Sequence, residues 1–193
     1  MNIDAALYIV AAIAILWFGT RMLLGKRAPR SSLAQMFTRE KPLPRVGIGA
    51  DAIRTLITDT QSFAQGERAI RGLILAGPFA AKAAKPDDEV TFVLLADDLA
   101  DYRETLWRAR WPYPQRGHFY RDHRIEEAGE ALIHRINLRG APPIALHFVP
   151  VEAASPSAAT AQALKRGAKP LETGTDAARR ALARWNNHSG DHA

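Results

Sequence analysis

The chain has no cysteine in 193 residues, which excludes a disulfide framework and a zinc-thiolate centre. Recognised metal-ligand spacings are missing as well. His118 and His123, with Asp122 between them, match none and read as hydrogen-bonded residues. Asp97, Asp98 and Asp101 lack a ligand-rich loop and read as the acidic start of a helix, where carboxylates meet the positive end of the helix dipole. No internal repeat or low-complexity tract is present, so no repeat architecture is expected. Net positive charge is small outside the first segment, although the sequence pI is near 10.0. Residues 1–50 hold seven Lys or Arg against Asp4 and Glu40, and the whole chain is +6, so the remainder is close to neutral. The pI is therefore no argument for nucleic-acid binding, and Arg121, Arg124, Arg135 and Arg139 read as solvated surface.

What is present begins with an apolar run. A hydrophobic fraction of 47 % supports one ordinary domain plus an appendage, and the appendage comes first. Ala5 to Leu24 is apolar on all sides and broken only by Arg21, whose stem can reach the interface, with Trp17 and Phe18 near the same end. Asp4 precedes this core while Arg21, Lys26, Arg27 and Arg30 follow it, the reverse of a cleaved secretory signal. Residues 1–25 are therefore expected to form a transmembrane signal anchor. The expected location is the cell inner (cytoplasmic) membrane, single-pass, with the C-terminal domain in the cytoplasm. Residues 26–50 are basic, contain Pro29, Pro42 and Pro44, and read as a tether attracted to anionic lipid.

The domain itself is expected over 51–186, with 187–193 a disordered tail. Ile53, Leu56, Ile57, Thr60 and Phe63 recur at helical spacing behind Asp51, which reads as the cap. Leu73–Ala76 and Val90–Leu95 are short apolar runs bounded by Gly77, Pro78 and Pro86, the pattern of strands buried on both faces. Gly77-Pro78 is expected to open a short helix between them. A helix through Leu99, Tyr102, Leu106 and Trp107 is ended by Trp111-Pro112. Ala131–Leu138 and Pro143–Val149 read as a hairpin turning at Arg139 to Pro142. A helix over 155–168, a short strand at 169–174 and a closing helix capped by Thr175, with Ala178, Leu182 and Trp185 inward, complete the chain.

The segment Gly77 to Phe92 resembles the signature of the polymerase-beta-type (minimal) nucleotidyltransferases. In that family an apolar strand ends in Gly-Ser, and Pro-Asp-Ser-Asp-apolar-Asp-apolar opens the next strand. Gly77 matches the Gly, Pro86-Asp87 match the Pro-Asp, and Glu89-Val90-Thr91-Phe92 fall on Asp-apolar-Asp-apolar. The resemblance implies an α/β (α+β) fold, a small mixed sheet with helices mainly on one face, preceded here by the transmembrane helix. In the family the paired carboxylates hold the metal that clamps the nucleoside triphosphate. Here Glu89 supplies one charge and Thr91 only a hydroxyl. Gly77 and Pro78 form a degenerate phosphate-binding turn, because proline has neither the hydroxyl nor the amide of the family's serine. The strand that carries the third carboxylate in the family is Ile144–Val149, which contains no acid, with Ala145 or His147 at the matching position.

Three readings of function follow. The first is a catalytically inactive nucleotidyltransferase-fold domain, a pseudoenzyme acting as a binding or scaffold module at the membrane. The second is an active nucleotidyltransferase that takes NMP from NTP with Mg2+ on Asp87 and Glu89, which lie two apart and so point the same way. The third is a structural membrane protein with protein partners only. Nucleotide binding separates the first two from the third.

Overall fold

In the computed structural model, residues 49–85 and 87–189 are described, all of them within the unit Arg45–Ala193. The expected anchor, nearly all of the tether, and the last four residues of the tail lie outside the described residues. Among the described residues no helix is long and apolar enough to cross a membrane.

The elements in chain order are α1 (Ala50–Gly66), β1 (Ile70–Ala76), β2 (Val90–Ala96), α2 (Ala100–Arg103), a 3-10 turn (Leu106–Arg110) and α3 (Pro112–Gln115). They are followed by β3 (Tyr120–Ala128), β4 (Ala131–Leu138), β5 (Ile144–Pro150), α4 (Ala158–Lys165), β6 (Ala168–Pro170) and α5 (Thr175–Ser189). The six strands make one mixed sheet in the order β3-β4-β5-β2-β1-β6. β2 and β5 run parallel at its centre, and every other neighbouring pair is antiparallel.

Alternation along the strands divides the core in two. Leu73, Leu75, Phe92, Leu94, Leu146 and Phe148 face α1 and an aromatic cluster of Tyr102, Trp107, Trp111 and Tyr113. Ile74, Ala76, Val93, Leu95 and Val149 face α5 through Ala178, Ala181 and Trp185. Both faces of the central strands are thus covered, which is why these sequences are continuous apolar runs. The expectation of helices mainly on one face does not hold. α5 lies flat enough on the second face that a Cβ at Gly72 would meet Ala178 N at 3.1 Å and Gly174 O at 3.2 Å.

The aromatic cluster supplies most of the bulk of the first face. Tyr102 stacks on Phe148 with ring centroids 4.3 Å apart, and Trp107 meets Phe148 and His134 edge-on at 5.3 and 5.1 Å. Burying each such ring contributes roughly 2–3 kcal/mol of apolar transfer. Trp111 fixes α1 to this cluster by donating its indole N–H to Thr60 Oγ1 at 3.3 Å. Arg116 closes the same corner with a forked bond to Asp59 of α1, at 2.6 and 2.8 Å.

Four local expectations are corrected. Asp51 does not cap α1; Gly49 is the cap and Asp51 sits in the first turn beside Arg54. Gly77-Pro78 opens a set of turns and no helix. The single helix expected from Leu99 to Trp111 is two short pieces, α2 and the 3-10 turn, and beyond the expected break Pro112 opens the one-turn α3. α5 runs to Ser189, beyond the expected end of the domain at 186, since Trp185 anchors its last turns.

Candidate functional site

The family resemblance points to the amino ends of the parallel strands β2 and β5, where Glu89, Thr91 and Ala145 fall. The register brings these positions together. Ala76, Thr91, Ala145 and Arg135 are successive partners across β1, β2, β5 and β4, so they form one row on the face shared with α5. Glu89 lies two residues before Thr91 and faces the same way. The first and third metal-ligand positions of the family pattern, and the second between them, are therefore neighbours in space.

Their chemistry is a different matter. Ala145 is fully buried and Thr91 is 5 % exposed, so neither offers an oxygen to an ion arriving from solvent. Glu89 is engaged: Arg135 donates from Nη1 to both its carboxylate oxygens, at 2.9 and 3.0 Å. The same guanidinium donates from Nε to Glu126 on β3 at 3.1 and 3.3 Å. Burial opposes the charge on Arg135, yet Glu89 and Glu126 outweigh it and raise its pKa above the ordinary value. A fixed cation thus stands in the same row as the metal positions and neutralises the carboxylate that remains.

The phosphate turn is closed in the same sense. Gly77 adopts a left-handed φ of 78°, which glycine tolerates without a Cβ penalty. Its N–H donates to Ala163 O at 3.1 Å and to Gly167 O at 2.9 Å. Its own carbonyl accepts from Ala80 and Ala81, and Ala83 N–H donates to Pro78 O. The amides that would cradle a phosphate are therefore taken by carbonyls of the chain. Ala163 belongs to the carboxyl end of α4, the negative end of its dipole, which repels a phosphate. Gly167 is required here, because a Cβ on it would stand 2.8 Å from Gly77 O.

Asp87 lies on the exposed side of the loop before β2, and Asp88 folds that loop by accepting from Lys85 N at 2.6 Å. Glu89 is turned to Arg135, whose guanidinium organises the carboxylate expected to act as a metal ligand. Among the described residues no group of three His, Asp or Glu is placed to hold a metal ion. Asp97, Asp98 and Asp101 do not form one: Asp97 pairs with Arg71 and Asp98 caps Ala100 N at 2.9 Å.

Of the histidines that line the two faces, sequence reasoning missed His134 and the buried settings of His123 and His147. His147, at the alternative third-ligand position, is 2 % exposed and hydrogen-bonded through Nδ1 to Thr160 Oγ1 at 3.0 Å. Burial, reinforced by the charge of Arg135, lowers its pKa to about 4, so it is neutral. On the other face Arg108 donates to His123 Nδ1 at 2.9 Å, and His123 Nε2 meets His134 Nδ1 at 2.9 Å. Since arginine only donates, His123 carries its proton on Nε2 and gives it to His134. Burial also lowers both of these to about 4. The signal that was available for Arg135 is its position: a charge inside the apolar run Ala131–Leu138 needs a partner.

An open cleft of about 740 Å³ lies at the opposite, carboxyl end of β2 and β5. Asp97, Asp98, Glu130, Glu152 and Arg103 line it, far along the strands from Glu89. No protein-family model and no curated protein sequence matches the chain.

Proposed function

We propose that the chain is a membrane-anchored cytoplasmic domain of nucleotidyltransferase type that transfers no nucleotide and acts as a binding or scaffold module. The observation that carries this reading is the Arg135 guanidinium on Glu89, in the row where the family pattern requires a divalent cation. A metal bound there would have to displace a cation already held by two carboxylates, with no second acid at Thr91 or Ala145 to assist it. The occupied amide of Gly77 supports the same reading for the triphosphate. The anchor and tether supply attachment to the inner membrane and its anionic lipid, and a protein partner completes the scaffold role.

The test is direct. The intact chain, with Mg2+ and each common nucleoside triphosphate, is expected to release no pyrophosphate and to label neither itself nor added acceptors. Thr91→Asp alone is expected to gain no magnesium affinity, because its carboxylate joins Arg135. Adding Arg135→Ala to that variant frees the pair and is expected to create measurable magnesium binding. Nucleotide transfer by the unmodified chain, abolished by Asp87→Asn or Glu89→Gln, overturns the proposal. Activity of a periplasm-only reporter fused after Ala193 overturns the topology.

A further inference from the structure

The outer edge of β3 pairs with nothing among the described residues, and exposed apolar side chains stand on and around it, Phe119 and Tyr120 at its start and Ile125 and Leu106 near its middle. Ile125 on this strand is 40 % exposed and Leu106 on the 3-10 turn is 73 % exposed. Arg103 reaches Glu127 and Arg108 reaches His123, which brings the segment that carries Leu106 over the face of β3 that carries Ile125. We propose that β3 pairs antiparallel with β3 of a second copy of the chain, about a two-fold axis through Ile125. The inference does not depend on the nucleotidyltransferase reading.

The register follows from the hairpin. β3 and β4 are joined by the two residues Gly129 and Glu130, with Ala128 opposite Ala131. In such a hairpin the closing pair exchanges both backbone bonds, and so do Glu126 with Ile133 and Arg124 with Arg135. The N–H and C=O groups of His123, Ile125 and Glu127 therefore turn outward, to the free edge. A symmetric partner has to pair through these positions, which leaves axes on residue 123, 124 or 125. An axis on Arg124 sets Arg124 against its own copy and Asp122 against Glu126. One on His123 sets Ile125 against Arg121, in the bulge between Tyr120 and Asp122. An axis on Ile125 sets Ile125 against itself, Arg124 against Glu126 twice, and His123 against Glu127 twice. The axis on His123 also joins opposite charges, Asp122 against Arg124, but runs through the bulge; the axis on Ile125 joins Arg124 to Glu126 twice, sets Ile125 against Ile125 and avoids the bulge.

The alternation of charges along β3 would otherwise blunt the edge, as charged edge strands usually do. In this order, however, the charges complement a two-fold copy. The paired stretch Asp122 to Ala128 is short, well below the area of about 1,200 Å² or more that a tight soluble interface buries. Association is therefore weak in solution and rises with concentration.

The absence of cysteine makes the test clean, because Ile125→Cys gives the intact chain one thiol. Across a hydrogen-bonded antiparallel pair its Cα lies about 5.5 Å from its copy, within disulfide range. Mild oxidation of the full chain in detergent is expected to link Ile125→Cys several-fold faster than Arg179→Cys, a thiol on the exposed side of α5. Glu127→Cys is expected to link slowly, since its own copy lies about 13 Å further along the strand. Adding Arg124→Glu to Ile125→Cys sets Glu against Glu twice and is expected to slow linking about tenfold. Arg124 is highly exposed and its only side-chain ion pair is with Asp122, so this change leaves the fold intact. Ile125→Cys linking no faster than Arg179→Cys, Glu127→Cys linking as fast as Ile125→Cys, or indifference to Arg124→Glu would each overturn the proposal.

Discussion

Acidification from pH 7 to pH 5 is expected to remove a large part of the stability of this domain through two buried histidines. His134 is fully buried and His147 is 2 % exposed. Burial first, then the neighbouring positive charge, brings each to a pKa of about 4, against an ordinary value near 6.5. The folded-state pKa is lowered, so both rings are neutral when folded and the unfolded chain binds the extra protons. Their contribution is whole above pH 6.5 and is lost as pH falls towards 4. At pH 5 the loss is about 2 kcal/mol for each ring, or about 4 kcal/mol together, against a typical domain stability of 5–15 kcal/mol. Urea unfolding followed by tryptophan fluorescence reads this directly, because Trp107 and Trp111 are both fully buried. The midpoint is expected to fall steeply between pH 7 and pH 5. His147→Gln can still bond Thr160 and does not titrate, while His134 and the partly buried His123, also lowered to about 4, still do, so the variant is expected to lose about a third of that pH dependence. An unchanged midpoint between the two pH values, or the same slope in His147→Gln as in the native chain, would refute the reasoning.

Two further predictions concern the fold. Gly174 sits at φ 61° with Arg71 O at the place of its missing Cβ, so Gly174→Ala is expected to cost about 3 kcal/mol or more. A thermal midpoint within a degree or two of the native chain would contradict it. Removal of residues 1–44 is expected to leave a soluble domain that melts in one cooperative transition, because both faces of its sheet are covered from within Arg45–Ala193. Aggregation of that fragment under mild conditions would show that the missing segment completes the core.

The strands buried on both faces were legible in the sequence. Leu73–Ala76 and Val90–Leu95 announce themselves as apolar runs between Gly and Pro, since a strand covered on two sides has few polar positions to interrupt it, and the hairpin of Ala131–Leu138 with Pro143–Val149 is marked by its turn through Gly140 and Pro142. β3 was not legible. Its residues Tyr120 to Ala128 are mostly exposed and charged on both faces, so neither an apolar run nor an alternation marks it. Its existence rests on backbone bonds to β4, which no side-chain pattern records. The departures from the resembled pattern at Pro78, Thr91 and Ala145 were also readable from sequence, because none of these residues carries the donor or charge that the pattern has there.

What stands in place of that donor or charge was decided only in three dimensions. Arg135 lies 46 positions from Glu89, and nothing local to either residue foretells the pair. It arises because β4, β5 and β2 are neighbours in the sheet, which sets Arg135, Ala145 and Thr91 in one row. The same holds for the Gly77 amide, whose acceptors, Ala163 O and Gly167 O, come from the end of α4 and the residue after its cap. The chain by itself therefore determined which residues must be buried and which letters of the resembled pattern it lacks. Tertiary structure decided where the remaining charges go, because burial of a charge is settled by whichever partner the folded topology brings within reach.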